Sequence, residues 1–269
     1  MPADIAQNNG IPAKPKPVSV KLDTAGREKM INLSVNVNKV ATLRNARGGD
    51  EPNVLEAAET CIRAGCQGIT VHPREDQRHI RPTDVRDLAA LKTVEFNIEG
   101  DPRPDLLDLA MDVVPDQCTL VPVEPGEVTS HHGFDIDRDA VVLGPAIERL
   151  KSAGIRVSLF MDALPENMAK AAAIGADRVE LYTGPYASAR TEAEIADAFR
   201  MIKDAHDAAL TAGLTLNAGH DLNLDNLPRL QPLTGIKEAS IGHAIISHAL
   251  YVGLYRAVVD FRKACGQDV

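Results

Sequence analysis

The sequence predicts a (β/α)₈ barrel, the TIM-barrel fold, because strand-like and helix-like segments alternate about eight times along the chain. Most strand-like runs are short, β-branched and apolar on both faces, as expected for strands covered by helices outside and packed against one another inside. The runs lie near 31–37, 68–72, 94–99, 118–122, 155–161, 178–182, 214–218 and 237–241.

Amphipathic segments between the runs have the length of helices, and they lie at 53–64, 83–92, 104–113, 140–153, 165–174, 191–212 and 244–263. One junction recurs, in which a helix ends shortly before a strand at Ala64-Gly65, Ala153-Gly154, Ile174-Gly175 and Ala212-Gly213. Glycine supplies the left-handed residue that stops a helix. Repeated use of one joint favours a symmetric barrel over its competitor, a doubly wound open sheet.

The domain organisation is simple, since 269 residues fit a barrel of about 250 residues with a tail to spare. Residues 1–30 are rich in Pro and Asn and are predicted to form a flexible N-terminal tail. Residues 31–269 are predicted to form a single barrel domain, with a long polar loop at 123–139 that could act as a lid. Without a signal core, a membrane-length apolar run or zinc-type cysteine spacing, the chain is expected to be cytoplasmic.

Composition narrows the function classes. A net charge of −9 argues against a nucleic-acid surface, although a local arginine cluster can still bind small phosphorylated ligands. No GxGxxG or Walker loop follows a strand, so nucleotide binding has no support from motifs.

Several polar residues lie at or just past the ends of the predicted strands, where the active site of a barrel is found. His72 can exchange protons near neutral pH, and Glu99 is a carboxylate predicted to point into the barrel. Glu180 follows the same logic, with a core ion pair as the alternative. Asp162 is expected to cap the next helix rather than to do chemistry.

Phosphate-binding groups are predicted in three loops. Arg74 follows the second strand, and Gly219-His220 and Gly242-His243 follow the seventh and eighth, where barrels commonly bind phosphate. Arg44 and Arg47 follow the first strand in a stretch that suits an anion-binding loop or a surface salt-bridge patch. His243 fits a first-turn helix residue as well as a ligand contact.

Taken together, several motifs resemble the pyridoxine 5′-phosphate synthase family. The likeness covers about residues 31–260 and rests on RNARGG (44–49), GITVHPREDQRHI (68–80), FNIE (96–99), VSLFMDA (157–163), RVELYTGPYA (178–187), LNAGH (216–220) and IGHAI (241–245). The resemblance implies a (β/α)₈ barrel that condenses 1-deoxy-D-xylulose 5-phosphate with 3-amino-2-oxopropyl phosphate. The implied products are pyridoxine 5′-phosphate, phosphate and water. It also implies no metal or other cofactor, and a homo-oligomer, often an octamer. The net charge and the lack of a membrane-length apolar run predict no nucleic-acid or membrane partner.

The resemblance also assigns roles to residues. His72, Glu99 and His220 match the acid/base residues, and Glu180 matches a transition-state stabiliser. The residues that match substrate-binding positions are Asn36, Arg47, Arg74, His79, Thr129, Gly242 and His243.

Three departures from the commoner family pattern concern substrate binding. Asn38-Lys39 replaces Asp-His, Val123-Glu124-Pro125 replaces Glu-Lys-Arg, and Asp221 replaces a glycine. Asn38 can hydrogen-bond a sugar hydroxyl, and Lys39 can supply charge for a phosphate. Asn38, Lys39 and Asp221 are therefore also predicted to bind substrate. The rival hypotheses are a metal-dependent barrel isomerase or hydrolase, in which His72, Glu99 and His220 are ligands, and a non-catalytic binding protein.

Overall fold

The computed structural model describes residues 30–91, 93–124, 127 and 130–269, and it contains a closed barrel of eight parallel strands in chain order. Each strand pairs with the next, and β8 closes the barrel against β1 through pairs such as Leu33 with Ala239. The predicted TIM-barrel fold is confirmed. The strands are β1 Asn32–Asn36, β2 Gly68–Val71, β3 Glu95–Gly100, β4 Gln117–Leu120, β5 Arg156–Met161, β6 Arg178–Tyr182, β7 Thr215–Gly219 and β8 Ile236–Ile241.

Helices follow the strands and cover the outside of the barrel. Within the described residues, none of them is both long and apolar enough to cross a bilayer. The helices are α1 Asn38–Arg47, α2 Val54–Arg63, α3 Pro82–Ala89, α4 Pro104–Val113, α5 Ile136–Ser152, α6 Pro165–Ala173, α7 Gly184–Ser188, α8 Glu192–Thr211, α9 His243–Val252 and α10 Leu254–Ala264, with a 3₁₀ helix at Leu227–Leu230.

Most predicted helices are present, and the glycines of the recurring junction all have positive φ, between 77° and 97°. The best-defined start is that of α8, where Thr191 accepts from Glu194 N–H and the Glu194 carboxylate accepts from Thr191 N–H. This reciprocal capping satisfies two amides that a helix start otherwise leaves unpaired. The predicted tail at 1–30 falls outside the described residues except for Met30 and stays a prediction.

Two local predictions were wrong. The stretch after β1, predicted as an anion-binding loop or a surface salt-bridge patch, is helix α1; its Arg44 does form an ion pair, with Asp84 at 2.6 Å, but this pair is buried and not on the surface. The long helix expected at 244–263 is two helices, because Gly253 adopts φ +82° between them. A non-helical glycine in an otherwise continuous pattern interrupts the hydrogen-bond ladder and lets the chain turn.

The interior of the barrel also differs from the prediction of strands apolar on both faces. The apolar residues face the helices, while the alternate positions carry polar side chains that hydrogen-bond around the inside. Thr119 donates to Asn97, and Arg178 donates to Gln117 and Asn217, at 3.0–3.1 Å. Asn217 in turn donates to Glu238 at 3.1 Å. A buried polar ring of this kind is tolerated because its groups are paired with one another.

Candidate active site

A cavity of about 380 Å³ opens at the ends of the barrel strands where the carboxyl termini gather. Each of the eight strands contributes a residue to the cavity wall. This residue is either one of the last three of the strand or the one that follows it. Of the residues predicted to form a site, those that line the cavity are His72, Glu99, His220, Glu180, Asn36, Asn38, Lys39, Arg74, His79, Asp221, Gly242 and His243.

The position of His72 is fixed by hydrogen bonds from residues at the end of β1 as well as by its own strand, β2. The Asn38 side chain accepts from His72 N–H at 2.9 Å, and Asn36 accepts from Asn38 N–H at 3.0 Å. These two amides connect the start of α1 to the chain leaving β2. The His72 ring is buried, and within the described residues its Nε2 has no hydrogen-bond partner. A buried polar atom without a partner is rare in proteins, and on a residue that lines a cavity it points to a role in ligand binding.

Two buried carboxyl groups face this cavity from β3 and β6. Glu99 accepts from Ser240 at 3.1 Å and from Asn36 at 3.3 Å. Glu180 is less supported, since its Oε2 has no partner among the described residues. A carboxyl group without donors is more stable protonated, when it can itself donate a hydrogen bond.

Burial raises the pKa values of the two carboxyl groups and lowers that of the His72 imidazole. Desolvation raises the pKa of Glu99 to about 7, although the Ser240 hydrogen bond opposes the shift. Burial and the nearby carboxylates of Glu99 and Glu238 raise the pKa of Glu180 well above its ordinary value. Burial, reinforced by the Arg74 charge, lowers the pKa of His72 well below 6.5. At neutral pH the site therefore offers a neutral imidazole, a protonated carboxyl and a carboxyl near its midpoint.

The cationic part of the site comes from the loop after β2 and the start of α1. Arg74 is buried and also donates to Glu127 O at 3.4 Å, while Lys39 lines the cavity beside it. Ile80 N–H donates to His79 Nδ1 at 2.9 Å, so the neutral ring carries its proton on Nε2. Burial and the Arg74 charge lower the pKa of His79 to about 4, which keeps this ring neutral. Two fixed cations and a neutral donor suit a phosphate group.

The loops after β7 and β8 complete the wall. His220 and Asp221 follow β7 directly, and burial lowers the pKa of His220 although the Asp221 carboxylate opposes the shift. Gly242 precedes α9, and a Cβ there would lie 3.0 Å from Asn36 O. His243 is the first residue of α9, as one interpretation predicted, and it also lines the cavity; its contact with a ligand stays a prediction. The first amides of a helix have no intrahelical partner and can bind an anion.

One predicted residue among those described, Arg47, is not brought to the cavity. Arg47 is exposed at the end of α1, and Thr129 lies outside the described residues. Arg78 is paired with Asp76 at 2.7 Å and donates to Glu127 O at 3.1 Å, which ties the β2–α3 loop to the loop after β4. The roles of Arg47 and Thr129 in substrate binding stay predictions.

The prediction that Asp162 caps α6 was wrong. Its carboxylate accepts from Gly133 N–H at 3.0 Å, and Leu164 occupies the cap position without a side-chain hydrogen bond. The partner comes from the loop after β4, which cannot be identified from the spacing around Asp162.

Three residues that contribute to the site were not identified from the sequence. Ser240 holds Glu99, and the period of two along β8 places it on the inward face together with Glu238. Phe160 also lines the cavity, and its ring centroid lies 4.8 Å from that of His220. Thr183 contacts the His220 backbone from the end of β6. Alternation could have identified Ser240, whereas Phe160 and Thr183 carried no chemical signal.

Solved structures with a similar fold include 3-hexulose-6-phosphate synthase, with a TM-score of 0.60 and 13% identity over 87% of this chain and 99% of that chain. Phosphoribosylanthranilate isomerase from Thermotoga maritima aligns with a TM-score of 0.55 and 14% identity over 88% of this chain and 99% of that one. At such low identity the likeness shows the barrel fold alone.

Sequence relatives are much nearer. Pyridoxine 5′-phosphate synthase of Xanthomonas oryzae pv. oryzae is 54% identical over 247 residues, covering 87% of this chain and 97% of that protein. The protein of the same name from Bacteroides thetaiotaomicron is 50% identical over 238 residues, covering 87% and 99%. The family model described as pyridoxal phosphate biosynthesis protein PdxJ matches residues 33–267. This range covers all eight strands, except for Asn32 at the start of β1. The chain therefore belongs to the pyridoxal phosphate biosynthesis protein PdxJ family.

Proposed function

We propose that this protein condenses 1-deoxy-D-xylulose 5-phosphate with 3-amino-2-oxopropyl phosphate to form pyridoxine 5′-phosphate, phosphate and water. One observation carries the proposal: His72, Glu99, Glu180 and His220, which lie far apart in the chain, converge on a single cavity. The names of the relatives point to the same product.

The chemistry of ring formation calls for such a set. Imine formation, enolisation, dehydration, phosphate loss and ring closure each move protons, and none transfers an electron to the protein. Several acid/base groups with different proton affinities around one cavity can serve successive steps. A neutral His72 can accept a proton, a protonated Glu180 can stabilise a developing oxyanion by donating, and Glu99 can do either near pH 7.

Two groups of cavity residues suited to phosphate support the use of two phosphorylated substrates. Arg74, His79 and Lys39 form one side of the cavity, and the start of α9 at Gly242 and His243 forms another. Substrates that are bound by their phosphates at separate points are held in a fixed mutual orientation, which removes much of the entropic barrier to condensation. Asn38 Oδ1 accepts from His72 N–H, which leaves its amide nitrogen and a second lone pair of Oδ1 for a sugar hydroxyl.

The metal-dependent rival has less support. Within the described residues, no group of three or more His, Cys, Asp or Glu side chains has the arrangement of a metal site. Buried Glu99 and Glu180 are instead surrounded by hydroxyl, amide and carboxyl groups.

A direct assay tests the proposal. The purified protein is mixed with both substrates, and pyridoxine 5′-phosphate and inorganic phosphate are measured in parallel, with the Xanthomonas oryzae relative as positive control. We expect equimolar formation of both products, dependence on both substrates and full activity in the presence of a chelator. No product under conditions in which the relative turns over would refute the proposal. Loss of activity with the chelator, restored by a divalent metal, would favour the rival.

Assembly and location are proposed from the resemblance. The protein is expected to form a homo-oligomer, with the octamer as the expected state, in the cytoplasm. Sedimentation velocity of the full chain measures the first, and cell fractionation measures the second.

A further inference from the structure

Two consecutive residues at the mouth of the cavity have an unusual backbone. His220 and Asp221 adopt φ +76° and +55°, the left-handed region that side chains with a Cβ rarely occupy. Such a conformation costs on the order of 1–2 kcal/mol per residue. It persists only where surrounding contacts hold it, and it is common at sites where a side chain must be aimed.

The contact that holds this backbone comes from Thr183, the first residue after β6. Thr183 N–H donates to Gly219 O at 3.0 Å, which continues the β6–β7 pairing past Tyr182 and Gly219. Its hydroxyl lies 2.5 Å from Gly219 O and 2.6 Å from His220 O. One hydroxyl proton is thus shared between two successive carbonyl oxygens. Thr183 is fully buried, so water does not compete for these bonds.

The Thr183 hydroxyl does not cap its own helix, although it is placed to do so. Thr183 occupies the N-cap position of α7, where a threonine side chain ordinarily accepts from an amide of its own helix. Here the side chain makes no capping bond and is directed to the β7 loop instead.

Rings on two neighbouring strands limit the direction of the imidazole. The centroid of the Phe160 ring lies 4.8 Å from that of His220, and the Tyr182 ring meets it edge-on at 5.6 Å. Asn226 donates to Asp221 O at 3.1 Å and holds the other end of the loop. With the rings in place, the backbone at His220 decides whether the imidazole reaches the cavity.

We propose that Thr183 is the positioning residue for His220. Its shared hydroxyl bond holds the left-handed backbone that directs the imidazole into the cavity between Phe160 and Tyr182. The inference rests on the proposed function only in the expectation that His220 transfers a proton to substrate; the positioning itself does not depend on which reaction occurs.

The test compares Thr183→Val, which keeps the shape and removes the hydroxyl, with Thr183→Ser, which keeps the hydroxyl. Full-length variants are treated with diethyl pyrocarbonate across pH 5–8, and carbethoxylation of each histidine is followed by peptide mass spectrometry. His131, whose side chain is 63% exposed, is the internal reference. In Thr183→Val we expect His220 to react at least about threefold faster at pH 7, because a relaxed loop exposes the ring. Its pH midpoint should rise toward the ordinary value of 6.5, since burial lowers it in the native protein.

Kinetics provide the second readout. We expect kcat of Thr183→Val to fall by about 10- to 100-fold with KM changed less than threefold, and Thr183→Ser to recover most of kcat. If Thr183→Val is insoluble, Thr183→Ala takes its place with the same expectations. Unchanged labelling of His220, or a serine variant as impaired as the valine one, would overturn the inference. If the native protein makes no pyridoxine 5′-phosphate while labelling of His220 responds as expected, the proposed function fails and the positioning role of Thr183 stands.

Discussion

Gly219 leaves the space that the Glu180 carboxyl group occupies. A Cβ built on Gly219 would lie 1.9 Å from Glu180 Oε1 and 2.8 Å from its Cδ, much closer than two non-bonded atoms can approach. Gly219 ends β7 and Glu180 lies on the neighbouring β6, so the glycine and the buried acid belong to one part of the cavity wall. The glycine before His220 is therefore needed for space rather than for its backbone angles.

Substitution Gly219→Ala should displace Glu180 and reduce kcat by about 100-fold, the cost of losing one oxyanion-stabilising donor. Steady-state kinetics with both substrates measures the loss. Gly144→Ala is the matched control, because a Cβ there meets no atom within 4 Å. Normal turnover of Gly219→Ala would show that the position of Glu180 does not matter to the rate.

Substitution His72→Ala should reduce turnover by about 10²–10⁴-fold, the range for loss of an acid/base group. His72 lines the cavity, its buried Nε2 has no partner among the described residues, and its lowered pKa keeps it a base at neutral pH. His248→Ala serves as control. His248 lies on α9, is hydrogen-bonded to Asp260 of α10 at 3.1 Å, and does not line the cavity. A near-normal rate for His72→Ala would remove this residue from the mechanism.

Substitution Ser240→Ala should move the pH profile of kcat/KM. With Glu99 acting as the base in the step that limits kcat/KM, this parameter should rise with pH through the Glu99 pKa of about 7, because only the ionised carboxylate accepts a proton. The Ser240 hydrogen bond stabilises the ionised form and holds that pKa down. Its loss should therefore shift the acid limb upward, by about one pH unit for a bond to a charged group.

Ser158→Ala is the control for this shift, because Ser158 is buried in β5 and its hydroxyl has no hydrogen-bond partner within the described residues. A limb that stays in place in Ser240→Ala, or moves to lower pH, would show that another group governs it.

Substitution Lys39→Met should raise KM for one of the two substrates by about 10- to 100-fold, the value of one charge-assisted bond. The kcat at saturation should change little, because Lys39 is assigned to phosphate binding and not to proton transfer. Lys203→Met is the control, since Lys203 is paired with Asp207 on the surface of α8. A drop in kcat at unchanged KM would contradict the assignment.

Substitution Glu238→Gln should stabilise the protein at high pH. Burial and the Glu95 charge raise the pKa of Glu238 from 4.5 to about 8, so the folded state prefers the protonated form. The stability that this preference contributes is complete below pH 4.5 and is lost as the pH rises through 8. Between those two values the free energy of unfolding should fall by at most about 1.4 kcal/mol for each pH unit.

Chemical denaturation of both proteins across this pH range measures the effect. The Glu238→Gln variant should be more stable than the native protein at pH 9 and nearly equal to it at pH 4.5. Glu166→Gln, on the exposed first turn of α6, should show no such pH-dependent gain. An equal difference between Glu238→Gln and the native protein at both pH values would contradict the raised pKa of Glu238.

Much of the fold could be predicted because its determinants are local. Apolar runs, amphipathic spacing and helix-ending glycines are properties of short segments, and closing eight similar units into a barrel then brings the strand ends to one rim. His72, Glu99, Glu180 and His220 could be assigned to that rim from their positions alone. The same local signals misled where a neighbour in space decides the outcome: Arg44 is paired with Asp84 of helix α3, and Asp162 with Gly133 of the loop after β4.

The sequence by itself determined the order of the eight strands and of most helices between them, the side chains presented at the strand ends, and the family. Only the tertiary structure decided which carboxyl groups are protonated at neutral pH, because desolvation depends on everything that surrounds a group. It also decided that Thr183 holds the His220 backbone and that Gly219 makes room for Glu180. Such contacts join residues some 36 to 39 positions apart, and no local pattern encodes a distance between side chains that meet only when the barrel closes.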